Sequence, residues 1–207
     1  MKTPLAFLVA SLAGAIVAVL PAAALAQAVV GQPAPAFSLP DSNGKTHALA
    51  DFKGRFVVLE WWNYECPFVR KHYGSGNMQD LQRRWTGKGV VWLTINSSAP
   101  GKQGHVKGAK ANALMKEGGG AATAVLLDHD GKVGRLYGAK TTPHMFVVDP
   151  KGILLYAGGI DDKPTTDLAD VKVARNYVEA ALGEATAGKP VTVTSSQPYG
   201  CSVKYGD

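Results

Sequence analysis

Cys66 and Cys201 are the two thiols of the chain, and their settings differ. Cys66 lies within Glu60-Trp61-Trp62-Asn63-Tyr64-Glu65-Cys66-Pro67-Phe68-Val69-Arg70-Lys71-His72-Tyr73. The apolar run Phe56–Leu59 before it reads as a buried strand. Pro67 follows at once, and proline is favoured in the first turn of a helix, where its missing N–H costs nothing. Cys66 is therefore expected where a strand ends and a helix begins. The partial positive charge at a helix N-terminus stabilises a thiolate, and a thiolate is a nucleophile. A buried, inert cysteine is the plainer alternative. Cys201 falls in an extended, glycine-containing tail, where movement is expected to be cheap. An even count permits one intramolecular pairing. In the entropic model a bridge over so long a loop restricts the unfolded chain by about 5 kcal/mol. A fixed structural disulfide thus stands beside a redox pair.

Glu60 is the other chemically notable residue, a carboxylate in an otherwise apolar strand. Burying it is costly without a partner or a task. Burial raises a carboxyl's pKa toward neutrality and suits it to exchange protons with a thiol. His72, six residues after Cys66, falls about 240° around an ideal helix and is a poorer candidate. Asp128-His129-Asp130-Gly131 has metal-binding residue types, but these groups suit a solvated turn on their own. No metal and no cofactor is expected.

The elements that must position these residues follow from pattern. Pro33–Leu39 is extended, since its prolines forbid helix. Asn43-Gly44 marks a hairpin turn to a second strand at Thr46–Leu49, and Gln27–Gln32 reads as a tether. Phe56–Trp62 and Val90–Ile95 are strands apolar on both faces, which suits a parallel sheet. Between them lie a helix from Pro67 to about Tyr73 and a second at Met78–Trp85, with Asn77 expected as its cap. Ala109–Glu117 reads as helix, Ala124–Leu127 as strand and Lys132–Tyr137 as a short helix. His144–Val148 and Ile153–Gly158 flank the turn Asp149-Pro150-Lys151-Gly152 as an antiparallel hairpin. Asp167–Glu184 has the spacing of one amphipathic helix.

Residues 1–26 have the form of a secretory signal: Lys2, an apolar stretch from Leu5 to Leu20, and Ala24-Leu25-Ala26 before Gln27. An uncleaved anchor is the alternative. The expectation is an exported chain, periplasmic or extracellular, where a disulfide can persist. It divides into the signal, one domain at 27–190, and a tail at 191–207. The 22 basic and 16 acidic residues give a net charge of +6. The charges are scattered without interleaved aromatics, so nucleic acid is not an expected partner. No membrane contact is expected after cleavage, and the pattern leaves the oligomeric state open.

The order of elements resembles the thioredoxin fold: α/β, a central mixed sheet in three layers with helices on both faces, here with an N-terminal β-hairpin extension. Gly31-Gln32-Pro33-Ala34-Pro35-Ala36-Phe37-Ser38-Leu39, with Asp41 and Gly44, resembles the opening of the alkyl hydroperoxide reductase/thiol-specific antioxidant (AhpC/TSA) group. The tail Gly200-Cys201-Ser202-Val203-Lys204-Tyr205 resembles that of a peroxiredoxin-like subfamily. Cys66 matches the first cysteine of a thioredoxin Cys-x-x-Cys, but Val69 stands where the second would be. Trp61 and Asn63 stand where peroxiredoxins carry proline and threonine, so the usual peroxide-activating set is missing. Copper-handling relatives need a cysteine at position 70, which is Arg70. The resemblance implies that Thr142-Pro143 is a cis-proline loop facing Cys66, its backbone pairing with an extended thiol substrate. It implies His144 beside that loop as support for the thiolate, Asn63 as a hydrogen-bonding substitute for the threonine, and Glu60 as the buried acid. Cys66 is then the nucleophile and Cys201 the resolving cysteine. Substrates would be thiol or disulfide proteins or small molecules, or peroxide, with an external thiol reductant. A thiol-disulfide oxidoreductase, a thiol peroxidase and a non-enzymatic module with a fixed Cys66–Cys201 bridge all remain open.

Overall fold

A computed structural model describes residues 27–207; the expected signal segment lies outside the described residues. The strands are β1 (Ser38–Pro40), β2 (Thr46–Ala48), β3 (Val57–Trp61), β4 (Val91–Asn96), β5 (Ala124–Leu127), β6 (Thr141–Thr142), β7 (His144–Val148), β8 (Leu154–Gly158) and β9 (Cys201–Ser202). The helices are α1 (Pro67–Gly74), α2 (Asn77–Thr86), α3 (Gly108–Glu117), α4 (Lys132–Leu136) and α5 (Tyr177–Thr186). Five strands form the central sheet in the order β5-β4-β3-β7-β8. β3, β4 and β5 are parallel neighbours, while β7 and β8 run antiparallel to their partners. β1 and β2 form the expected hairpin outside it. This is the thioredoxin-like architecture expected from the element order.

Strand alternation divides the core into two layers. Val57, Leu59 and Trp61 of β3 face one side with Leu93, Phe146, Val133 of α4 and Phe37. Val58 faces the other with Trp92, Met145, Met78 and Leu81 of α2, and Val178 and Leu182 of α5. Glu60 points to this second side. At the sheet's end, Cys66 packs in a third apolar cluster with Trp62, Val69, Ala111 of α3 and Val125.

Several expectations are corrected. Gln27–Gln32 is no loose tether: the Gly31 N–H reaches the Leu154 carbonyl at 2.8 Å and the Leu154 N–H reaches Gln32 at 3.0 Å, so the segment lies along β8. Gly76, at φ +81°, takes the cap position of α2, and the Asn77 amide instead donates to His72 Nδ1 at 2.9 Å. The single helix over Asp167–Glu184 is two pieces, a 3₁₀ turn at Leu168–Lys172 and α5. The backbone between them is claimed by another segment: the Arg175 N–H bonds the Asp162 carboxylate and the Tyr177 N–H bonds the Ile160 carbonyl, each at 2.9 Å. Asn176 then caps α5 by accepting the Glu179 N–H. Asp128 is buried rather than solvated, and accepts bonds from Ser97 Oγ and from the Val133 and Gly134 N–H groups at the start of α4.

The tail is also not free to move cheaply. Thr141–Thr142 pairs with Cys201–Ser202 in a small antiparallel sheet. Beyond it the Val203 N–H donates to Lys140 at 3.0 Å, the Ala99 N–H to Lys204 at 2.8 Å, and Tyr205 Oη to Ala139 at 2.8 Å. Long-range pairing of this kind has no local sequence signature, which is why an extended glycine-containing stretch looked mobile.

Candidate active site

β3 delivers the chain to the site. The Trp62 N–H continues its pairing to the Ile95 carbonyl, and residues 63–65 then turn. Asn63 Oδ1 accepts the Glu65 N–H at 2.9 Å, while the Asn63 carbonyl accepts the Cys66 N–H at 3.0 Å. The Asn63 amide reaches the Gln103 carbonyl, and Glu65 Oε2 accepts the Gly104 N–H at 2.8 Å. The 97–107 segment is thus clasped to the cysteine turn. At Gly104, whose φ is +78°, an added Cβ would lie 2.1 Å from Asn63 Oδ1, so only glycine admits this approach. Asn63 holds the turn and has no side-chain bond to Cys66.

Cys66 is the N-cap of α1, with Pro67 in the first turn. Its side chain has no exposed surface. Sγ donates to the Thr142 carbonyl at 3.0 Å, and the Thr142–Pro143 peptide is cis. Burial works against a Cys66 thiolate. The Cys201 thiol, the Val69 N–H, the Cys201 N–H and the Thr142 hydroxyl together outweigh it, and hold the Cys66 pKa below its ordinary value. The Thr142 hydroxyl is buried and otherwise unpartnered, which leaves its proton for that thiolate. Cys201 responds in the opposite sense. Burial, its hydrogen bond to Cys66 and the like charge there push its thiol up to about 11. The pair is therefore asymmetric: Cys66 ionises first, and Cys201 keeps its proton while it donates. Both cysteines are free thiols in this structure.

His144 sits beside the loop, but burial and the nearby Lys140 lower its pKa to about 4. Its Nδ1 accepts the Lys140 N–H at 3.3 Å and its ring lies against Phe146. It is neutral at pH 7 and brings no positive charge to the thiolate, unlike the supporting role the resemblance implied.

Glu60 is fully buried on β3. Trp92 Nε1 at 2.8 Å, Gln82 Nε2 at 3.1 Å and Thr94 Oγ1 at 3.1 Å donate to Oε2, and Tyr73 Oη at 3.0 Å donates to Oε1. Burial dominates these bonds and raises its pKa. These partners lie on α1, α2 and β4, and Cys66 is not among them. Tyr73 also lines a cleft of about 370 Å³ beside Trp62, Val69, Leu114 and Met115, with Arg70 and Glu117 among its other lining residues. No helix among the described residues is long and apolar enough to cross a membrane. Among the same residues, no three His, Cys, Asp or Glu side chains gather as a metal site.

Reading the sequence missed the partners that fix the tail. Lys71, His72 and Asp161 are buried together around Tyr199. The one available signal was a Lys-His pair three and four residues beyond Phe68, on one face of α1.

Residues 30–157 match the AhpC/TSA family. The thiol:disulfide interchange protein DsbE of Haemophilus influenzae is 30% identical over 69% of this chain and 74% of its own length. The thiol-disulfide oxidoreductase ResA of Bacillus subtilis is 30% identical over 59% of this chain, and the match spans 63% of that protein. A crystal structure of an uncharacterised conserved protein from Geobacillus kaustophilus superimposes with a TM-score of 0.72 at 25% identity, covering 86% of this chain and 93% of that one.

Proposed function

The chain belongs to the AhpC/TSA family, and from that premise we propose that it is an exported thiol-disulfide oxidoreductase with Cys66 as nucleophile and Cys201 as resolving cysteine. The observation that carries this reading is the pairing of Thr142 with Cys201, which brings the second thiol to the sulfur of Cys66. The Cys66 thiolate attacks one sulfur of a substrate disulfide. The other substrate sulfur leaves as a thiolate and takes up a proton. Cys201 then loses its proton and attacks Cys66 Sγ, the second substrate sulfur leaves, and Cys66–Cys201 closes. The substrate departs as a dithiol, and an external thiol reductant reopens the protein disulfide. Thr142 and Pro143 shape the approach, Pro67 fixes the helix start under Cys66, and Asn63 holds the turn. Glu60 serves as the buried acid, its raised pKa suiting it to proton exchange. Names of the relatives support thiol-disulfide exchange, and the form of residues 1–26 supports export.

A second reading keeps peroxide as the oxidant, with a Cys66 sulfenic acid resolved by Cys201. The complete burial of Cys66 favours it, since a small oxidant needs less opening than a protein disulfide.

The reduced protein should be mixed under anaerobic conditions with a disulfide substrate and, separately, with hydrogen peroxide. We expect faster reaction with the disulfide, a Cys66–Cys201 linked peptide by mass spectrometry, and no turnover in Cys66→Ser. Faster oxidation by peroxide selects the second reading. Inert Cys66, or a Cys66→Ser variant that loses stability alone, overturns both in favour of a fixed bridge.

A further inference from the structure

A cysteine so far along the chain must be aimed without the short spacer of a Cys-x-x-Cys turn. One face of α1 offers the means. Phe68, Lys71 and His72 stand at i, i+3 and i+4 on the helix that begins at Cys66. All three meet Tyr199, two residues before Cys201. The Phe68 ring packs edge-on at 5.9 Å between centroids, and Lys71 Nζ lies 5.8 Å from the Tyr199 centroid. That ammonium is buried and donates to the Lys163 carbonyl at 2.7 Å.

The polar bonds have one consistent direction. The Asn77 amide donates to His72 Nδ1 at 2.9 Å, so the ring proton is on Nε2. Nε2–H then donates to Tyr199 Oη at 3.0 Å, and Tyr199 donates its own proton to Asp161 Oδ1. Three titratable side chains, Lys71, His72 and Asp161, are buried at 3% exposure or less for this arrangement. Burying such groups is costly unless every polar atom is matched. After Tyr199, Gly200 turns at φ +127° so closely that an added Cβ would lie 2.1 Å from the Thr142 carbonyl oxygen. Cys201 is then opposite Thr142.

We propose that Tyr199 is a positioning residue for the resolving step: bonded between His72 and Asp161 on the face of α1, it sets the register of the tail so that Cys201 Sγ meets Cys66 Sγ. Both sulfurs are thereby referred to one rigid helix, Cys66 through its N-cap and Cys201 through the Tyr199 latch. The step served is the attack of the Cys201 thiolate on the Cys66 mixed disulfide, which expels the bound substrate sulfur as a thiolate. The inference rests on the reading of Cys201 as the resolving cysteine.

The test uses reduced protein and the small aromatic disulfide dithiobis(nitrobenzoate), whose released thiol is coloured. Attack by Cys66 releases a first equivalent and resolution by Cys201 a second. In Tyr199→Phe the ring stays and the hydroxyl is lost. We expect an unchanged first phase and a second phase slowed about tenfold or more, since misplacement by about 1 Å costs on the order of a hundredfold. Asp161→Asn keeps an oxygen to accept the Tyr199 proton and should stay within about threefold of the wild type, while Asp161→Ala should match Tyr199→Phe. If Tyr199→Phe does not fold, the Asp161 pair decides by the same comparison. An unaltered second phase in Tyr199→Phe, equal slowing of both phases, or indistinguishable Asp161 variants overturns the inference. Cys201→Ser separates the two proposals. If it still releases two equivalents, or the wild type releases one, the resolving role itself falls. If the wild type releases two and Cys201→Ser one, failure in the Tyr199 and Asp161 variants sinks the latch alone.

Discussion

Four donors converge on Glu60, yet burial still keeps its carboxyl protonated above the usual range. The consequence for stability has a definite sign. Above the ordinary value of 4.5 the unfolded chain releases this proton while the folded chain keeps it. Stability from this group is therefore lost as pH rises from 4.5 to the folded pKa, at about 1.4 kcal/mol per pH unit. Glu60→Gln retains an oxygen for Trp92, Thr94 and Gln82 and turns an N–H toward Tyr73, without the titration. Denaturant midpoints of the two proteins should therefore diverge in favour of the variant as pH rises above 4.5. A difference that does not change with pH would show that Glu60 is ionised in the fold. Glu60 and Cys66 were both legible in the sequence because each breaks a local pattern: a charge in an apolar strand, and a cysteine between strand and helix-starting proline. Tyr199 breaks none. Its importance comes from groups on α1 and near residue 161, which the linear chain keeps far apart.

Strand β9 is two residues long, and its fit depends on Gly200. Gly200→Ala would drive a methyl group into the Thr142 carbonyl and place alanine at a φ it rarely adopts. The tail should lift from β6, with a stability loss of about 1–3 kcal/mol. Alkylation of Cys66 by iodoacetamide should then accelerate by about tenfold or more, since the thiol is fully covered in the intact protein. Equal alkylation rates in the two proteins would mean that the tail is not what covers it. The regular elements were readable because their periodicities are local. The 3₁₀ break before α5 was not, because hydrogen bonds donated by the Arg175 and Tyr177 N–H groups to residues 160–162 compete there with a helix that the spacing alone supports.

At the scale of the molecule, the parallel pairing of β3 with β4 was accessible from the strand–helix–strand signals, since a parallel β-α-β unit permits few arrangements. The return of the tail to the cis-proline loop was not, because two short segments must meet across the whole fold. Export can be tested directly. Expressed with residues 1–26 in a bacterial host, the protein should be recovered from the periplasm with Gln27 as its first residue by intact-mass measurement. Recovery of the uncut chain from the membrane fraction would instead favour a retained anchor.

If both sulfurs are referred to one helix, as proposed, they face each other at a high effective concentration. For well-oriented intramolecular groups this reaches the order of 10⁵ M or above. Free monothiols in the surroundings would then lose the race for the Cys66 mixed disulfide. On the proposed mechanism, a partner caught on Cys66 would be released by the protein's own tail before a bystander thiol could trap it there. The pinned strand would thereby set a short lifetime for each covalent complex that mechanism forms.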